Sequence, residues 1–225
     1  MGYFHPAKVI AAAFNHKLLE VVMPQKSVKN QMLQVASEHF YRHGYDATSV
    51  KNVVEECQTT APALYHHFGS KEGLALAYLE SAADVQQQRW RPVFSKPSLP
   101  EIIDAWVKVI KSDIRKKEYF GCPIGNFSSQ LDLAASQSPT HERLQQKIGT
   151  IFESWITAMS GRFQELQQLK ELSLEVETTN LAIQLLNTYE GGLLVWRATH
   201  RKDVITTLCS QLVMISETAL NPQSP

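Results

Sequence analysis

The sequence predicts an all-α protein of about nine helices, and three observations carry that expectation. From residue 26 onward nearly every segment repeats its apolar residues at the 3.6-residue period of a helix, and no stretch alternates like a strand. Proline and glycine cluster at breaks, near 92–100, 121–123 and 136–140, where helices are expected to stop. The hydrophobic content of 44% is enough for a true core, and 225 residues leave room for one large domain or two small ones.

The first helix is expected over 27–43, with Leu33, Ala36 and Phe40 on one face. Gly44 follows, a residue that tolerates the left-handed backbone often needed at a helix C-terminus. Thr48 or Ser49 can cap a second helix over 49–56, whose Val50, Val53 and Val54 face the first. After the turn Cys57-Gln58-Thr59, Thr60 can cap a short helix over 60–67 with Pro62 just inside its start, where proline is best tolerated. Two helices joined by so short a turn form a helix-turn-helix unit, whose second helix is shaped to enter a DNA major groove.

Six further helices are expected near 70–90, 100–117, 124–136, 140–168, 178–199 and 203–220. Large side chains recur on them: Trp106, Phe120, Phe127, Phe152, Trp155, Met159, Tyr189 and Trp196. Aromatic and apolar residues drawn from several helices are the usual lining of a small-molecule cavity, and equally the filling of a core. The last two helices carry an apolar excess, from Leu181, Leu185, Leu186, Leu193, Leu194 and Val195 to Val204, Leu208, Leu212 and Ile215. Gly191-Gly192 within the first of them costs helix stability of about 1 kcal/mol per residue against alanine, and close helix approach is a reason to keep the pair.

Composition excludes other classes. No run approaches the ~18 apolar residues of a membrane span, and the loosely apolar segment 9–22, broken by Asn15, His16 and Lys17, is a poor signal peptide. Cys57, Cys122 and Cys209 are odd in number and widely spaced, so neither a disulfide framework nor a zinc site is implied, and a reducing cytoplasm fits. His39 and His43 stand at i and i+4, but no third ligand is placed beside them, so no metal or other cofactor is expected. The formal net charge is zero, and residues 1 to 95 hold nine Lys/Arg against eight Asp/Glu. Any nucleic-acid footprint is therefore local, built from Lys26, Lys29, Lys51 and Lys71 with hydroxyls and histidines. No Gly-rich phosphate loop, Gly-x-Ser-x-Gly or His-Glu-x-x-His appears in residues 100 to 220, so no enzyme is indicated.

The residues Ala36, Phe40, Gly44, Tyr45, Thr48, Ser49, Val50, Leu64-Tyr65-His66-His67-Phe68, Ser70-Lys71-Glu72 and Leu74 form a spaced pattern. It resembles the N-terminal domain of the TetR family of bacterial transcriptional regulators, strongly over about 26 to 90 and weakly beyond. The resemblance implies a three-helix DNA-binding head at 26–72 and a helical ligand-binding and dimerisation domain at 73–221. Residues 1–25 stand outside that scheme as an N-terminal extension. Met23-Pro24-Gln25-Lys26 looks like the usual beginning of such chains, so 1–22 is either an appendage or lies upstream of a start at Met23.

By the same resemblance, Thr48 and Ser49 at the second helix and Thr60 at the recognition helix approach phosphate, joined by Tyr65, His66, His67 and Lys71. Ala61, Pro62 and Ala63 are left facing base edges; too small for bidentate hydrogen bonds, they suit thymine methyls, with DNA shape supplying further specificity. The implied effector pocket takes Trp106, Phe120, Cys122, Phe127, Phe152, Trp155, Met159 and Tyr189, for a small apolar or aromatic molecule. The last two helices are implied to pair with a second copy as a four-helix bundle, with Leu212 in the interface. The stretch Gly121-Cys122-Pro123 is similar to a Gly-Cys-(Pro/Leu) motif in one branch of these regulators. The expected function is a ligand-responsive repressor acting as a homodimer on double-stranded operator DNA. Two other classes stand beside it: a thiol-based redox or electrophile sensor using Cys122, and a helical enzyme or chaperone-like bundle with a relic head.

Overall fold

The computed structural model describes residues 27–131 and 138–221, which form nine α-helices and no strand. In order they are α1 (Val28–Ala47), α2 (Val50–Glu56), α3 (Ala61–Phe68), α4 (Lys71–Phe94), α5 (Leu99–Asp113), α6 (Pro123–Ser129), α7 (Pro139–Gln168), α8 (Thr178–Thr199) and α9 (Lys202–Leu220). The all-α expectation holds. The predicted extension at 1–25 and most of the predicted helix tail at 130–136 lie outside the described residues. Among those described, no helix is long and apolar enough to cross a membrane.

Several boundaries depart from the sequence reading: α1 runs on to Ala47 across a kink at Gly44, and α5 stops at Asp113 instead of reaching 117. Helix α4 runs through Pro92 to Phe94, past the expected break. A proline removes only its own N–H bond to the preceding turn, and near a helix end that loss is small. Arg162 then caps the exposed carbonyls, its Nε donating to Phe94 O at 2.9 Å and its Nη2 to Lys96 O at 2.8 Å. Helix α6 ends at Ser129, where the N–H of Gln130 turns back to Phe127 O at 3.2 Å.

By packing the chain falls into two units: the residues up to Gln88 with Lys116–Gly149, and Arg89–Arg115 with the residues from Thr150 on. In the first, Ser27 caps α1 by accepting the Asn30 N–H at 3.2 Å. Met32, Val35, Ala36 and Phe40 form its buried face, while Leu33, expected inside, is only half-buried. Phe40, Tyr78 and Phe127 meet ring to ring at 5.5–5.8 Å, and full burial of each such side chain stabilises by about 1.5–3 kcal/mol. The Tyr41 hydroxyl donates to Gly121 O at 2.9 Å and accepts the Phe120 N–H at 2.8 Å, tying the turn before α6 to α1. Gly44 has φ +76°, and a Cβ there would also stand 2.6 Å from Gln130 Cβ. That position needs glycine on both counts.

In the second unit α8 and α9 turn Leu181, Leu185, Leu186, Leu193, Ile205, Leu208 and Leu212 inward. A Cβ on Gly192 would sit 2.9 Å from both Leu208 methyls, so this glycine sets the close approach of the two helices. Helix α5 covers α9 and buries Ile102, Ile103, Trp106 and Ile110. The ion pair Arg89–Asp113 lies deep in this unit, with Asp113 1% exposed. Breaking such a pair by removing one partner is far costlier than its net contribution.

Candidate nucleic-acid interface

Helix α3 is built to present its outer face. Thr60, in extended backbone, accepts the Ala63 N–H at 3.4 Å and starts the helix, with Pro62 in its first turn. Leu64 alone within α3 is fully buried and anchors it, while Pro62, Tyr65, His66 and His67 are exposed; Tyr65 shows 47% of its surface. Ala61 and Ala63 are half-buried, so Pro62 is the most accessible of the three expected base-facing residues. The turn from α2 is held by Thr59 N–H to Val54 O at 2.9 Å, with Gln58 at φ 52°. Gly69 at φ +75° closes α3, and Ser70 caps α4 by accepting the Gly73 N–H at 3.0 Å. A Cβ on Gly73 would fall 2.0 Å from Phe68 O, which makes this turn intolerant of any side chain there.

The expected phosphate contacts divide. Ser49 is exposed at the N-terminus of α2 with no capping bond from its side chain. Thr48 does not present its hydroxyl: it is 3% exposed and donates to Gly44 O at 2.7 Å, closing the end of α1. The sequence assignment of its side chain to phosphate is corrected on that ground. The Lys71 ammonium lies 4.3 Å over the Tyr45 ring and 3.5 Å from Asp46 O, and burial pushes its pKa down against the opposing pull of Asp46.

Acidic groups border this lysine, and α7 holds them. His141 Nε2 lies 3.0 Å from Asp46 Oδ1, and its ring meets the Tyr45 ring edge-on at 5.6 Å. Ser138 Oγ lies 2.7 Å from His141 Nδ1. Glu72 takes a two-pronged bond from Arg143 and a 2.8 Å bond from Thr140. Its carboxyl is held below the usual range by the Arg143 hydrogen bond first, with Thr140 adding. Lys147 Nζ pairs with Glu80 at 2.9 Å.

The eight expected pocket residues are not brought together as one lining. Phe120, Cys122 and Phe127 belong to the first unit, where Phe127 is wholly buried against Phe40, Tyr45 and Tyr78, and Phe120 stacks edge-on to Tyr41 at 5.5 Å. Trp106, Phe152, Trp155, Met159 and Tyr189 belong to the second. There Trp106 and Tyr189 meet at 5.3 Å and join Trp90 and Phe94, at 5.7 Å and 5.4 Å from Trp106. Sequence reading missed both: Phe94 lies in the segment that Pro92 marked as a break, and Trp90, at the end of the expected helix 70–90, gives no local sign that it meets Trp106. The Trp106 indole N–H is buried with no acceptor among the described residues. Phe152 and Trp155 form a second edge-on pair at 5.4 Å.

Cys122 is 3% exposed, just ahead of α6, and burial pushes the Cys57 thiol up to about 11. Among the described residues no group of three His, Cys, Asp or Glu could hold a metal ion; His39 pairs with Glu56 at 3.0 Å instead. On α8 and α9 the outward apolar residues are Ile183, Leu194, Val195, Val213 and Met214. Leu212, expected at an interface, is fully buried within its own chain.

Residues 32–78 match the family model of bacterial regulatory proteins of the tetR family, and residues 100–211 match the C-terminal domain model of LmrA/YxaF-like transcriptional regulators. An uncharacterised HTH-type transcriptional regulator of Lactococcus lactis is 26% identical over 127 residues, 54% of this chain and 62% of that relative, so the match spans less than two thirds of its length. The HTH-type transcriptional repressor DhaR of a Mycobacterium species is 22% identical over 174 residues, 76% of this chain and 83% of the repressor. A TetR-family regulator of Streptomyces coelicolor has a solved structure that superposes with a TM-score of 0.70 at 18% identity, covering 85% of this chain and 95% of that one.

Proposed function

Since the chain belongs to the TetR family of bacterial transcriptional regulators, we propose that it is a homodimeric cytoplasmic repressor, released from its operator by a small apolar effector. The observation that carries the DNA-binding half is the outer face of α3. A capped, internally anchored helix turns Pro62, Tyr65 and His66 outward, with Lys71 opening the next helix. In this reading residues 26–72 are the head and 73–221 bind effector and partner. Ser49, Thr60, Tyr65, His66, His67 and Lys71 contact phosphate and position the head; Pro62, flanked by Ala61 and Ala63, packs against base edges. The turn Gly121-Cys122-Pro123 supports placing the chain in the branch that carries this motif.

Two heads must meet major grooves about one helical turn (~34 Å) apart, so a small rigid shift within the dimer ends simultaneous docking. The outward residues of α8 and α9 support an isologous dimer through these helices. For the effector, the rings of Trp90, Phe94, Trp106 and Tyr189 supply flat apolar walls, and the unpaired Trp106 N–H supplies a donor to a ligand oxygen. The near-complete burial of Cys122 counts against the thiol-sensor reading.

Lys71→Ala tests the DNA-binding reading. It should weaken binding to all duplex sequences about equally and lower the slope of log K against log salt by about one unit. A loss confined to the specific operator would contradict the phosphate assignment.

A further inference from the structure

The described part of the first unit up to Gln88 poses an electrostatic problem. It holds four cations, Lys29, Arg42, Lys51 and Lys71, against seven acids: Glu38, Asp46, Glu55, Glu56, Glu72, Glu80 and Asp84. Arg42 is committed to Glu38 and Glu118, and Lys51 lies 3.8 Å from Glu55. A region with more carboxylates than cationic side chains repels a polyanion unless its acids are covered.

The cover comes from α7. Its first turns place His141, Arg143 and Lys147 on Asp46, Glu72 and Glu80. Two of these acids flank the lysine assigned to phosphate. Glu72 adjoins Lys71 in the chain, and Asp46 follows Tyr45, whose ring carries the Lys71 ammonium. The grip is built rather than incidental: Glu72 is fixed by Arg143 and Thr140 together, while His141 is buried between Ser138, Tyr45 and Asp46. Further along, the same continuous 30-residue helix carries Phe152, Trp155 and Met159.

We infer that the start of α7 is an electrostatic mask on the DNA-binding face, with Arg143 neutralising Glu72 beside Lys71 and the His141 ring hydrogen-bonded to Asp46, so that disengaging α7 uncovers the Glu72 charge and lowers affinity for DNA. The inference rests on the DNA-binding reading above. Lost geometry alone would also weaken binding, but a mask makes a distinct demand: the defect left by removing Arg143 disappears when the acid it covers is removed too. Each uncovered carboxylate within about 8 Å of phosphate acts through a screened Coulomb field, so the effect is large only below ~0.1 M salt.

The test is fluorescence anisotropy of a labelled 30-base-pair duplex with the full chain at 50 mM and 300 mM salt. Arg143→Gln should weaken binding about three- to tenfold at the lower salt and much less at the higher. Arg143→Gln/Glu72→Gln should bind within about twofold of wild type, whereas Arg143→Gln/Asp84→Asn, with the same net charge, should stay weak. Wild type that binds no duplex defeats the DNA-binding reading and the mask with it. Wild-type binding with an unaffected Arg143→Gln, a double variant as weak as the single, or equal rescue by Asp84→Asn overturns the mask alone.

Discussion

Replacing Met214 by Glu should split the dimer without unfolding the protomer, and replacing Leu212 by Glu should do the reverse. The two residues are two positions apart on α9, yet Met214 is 59% exposed and Leu212 0%. Fully burying a Met or Leu side chain contributes about 1.5–3 kcal/mol, so covering the exposed part of Met214 is worth roughly 1–2 kcal/mol per copy and twice that per symmetric dimer. Glutamate forfeits that and adds an uncompensated charge at a cost of several kcal/mol per ion, unless it disperses into water. A loss of about 4 kcal/mol weakens the dimer roughly a thousandfold. At position 212 the same charge enters the layer where Gly192 lets Leu208 approach α8, and its cost is comparable with a whole domain stability of about 5–15 kcal/mol. Sedimentation velocity near ~5 μM, read beside helical circular dichroism and its melt, separates the outcomes. Met214→Glu should sediment as a helical monomer, and Leu212→Glu should lose its cooperative transition. A dimeric Met214→Glu, or a folded monomeric Leu212→Glu, would refute the assignment of the α9 faces.

Two further outcomes are expected. An apolar aromatic effector should quench tryptophan fluorescence and release DNA over one concentration range, and Trp90→Ala should raise the concentration needed for release while leaving DNA affinity without effector unchanged; a DNA-binding defect in the ligand-free variant would count against a pocket role. At pH 8 the Cys57 thiol, pushed to about 11 by burial and by the charge of Glu56, is almost wholly protonated, so a thiol reagent should label it roughly a hundredfold more slowly in the native protein than in guanidinium. Fast labelling of one equivalent at Cys122 in the folded chain would restore the thiol-sensor alternative.

The head was legible because its signals are local. Thr60 ahead of Pro62 and Gly44 after Phe40 are instructions a few residues long, and the structure uses each within its own turn. What stayed hidden depends on partners far along the chain. Periodicity could not tell Leu33 from Met32, because neighbouring residues on an amphipathic helix differ only in what packs on them. Nothing near Pro92 shows that Arg162, seventy residues on, caps the carbonyls that keep α4 going and so bring Trp90 and Phe94 to Trp106. Thr48 reads as a helix cap in sequence, and only the backbone at Gly44 shows that its hydroxyl is already committed. The apolar run of α8 and α9 marked both helices as packing elements, but not which leucines face inward.

The neutral charge of the chain gains a physical sense from the same geometry. A strongly basic head holds DNA through many phosphate contacts, and moving one or two charges scarcely changes its occupancy. The head, with five cations (Lys26, Lys29, Arg42, Lys51, Lys71) against five acids (Glu38, Asp46, Glu55, Glu56, Glu72), sits close to the balance point, where pairing or uncovering a single carboxylate shifts affinity by a useful factor. Such a head binds weakly to arbitrary DNA, which suits a repressor that must leave bulk sequence for one operator. On the mask proposed above, the neutrality that argues against DNA binding in the whole-chain count becomes, at Glu72 and Arg143, a means of making that binding adjustable.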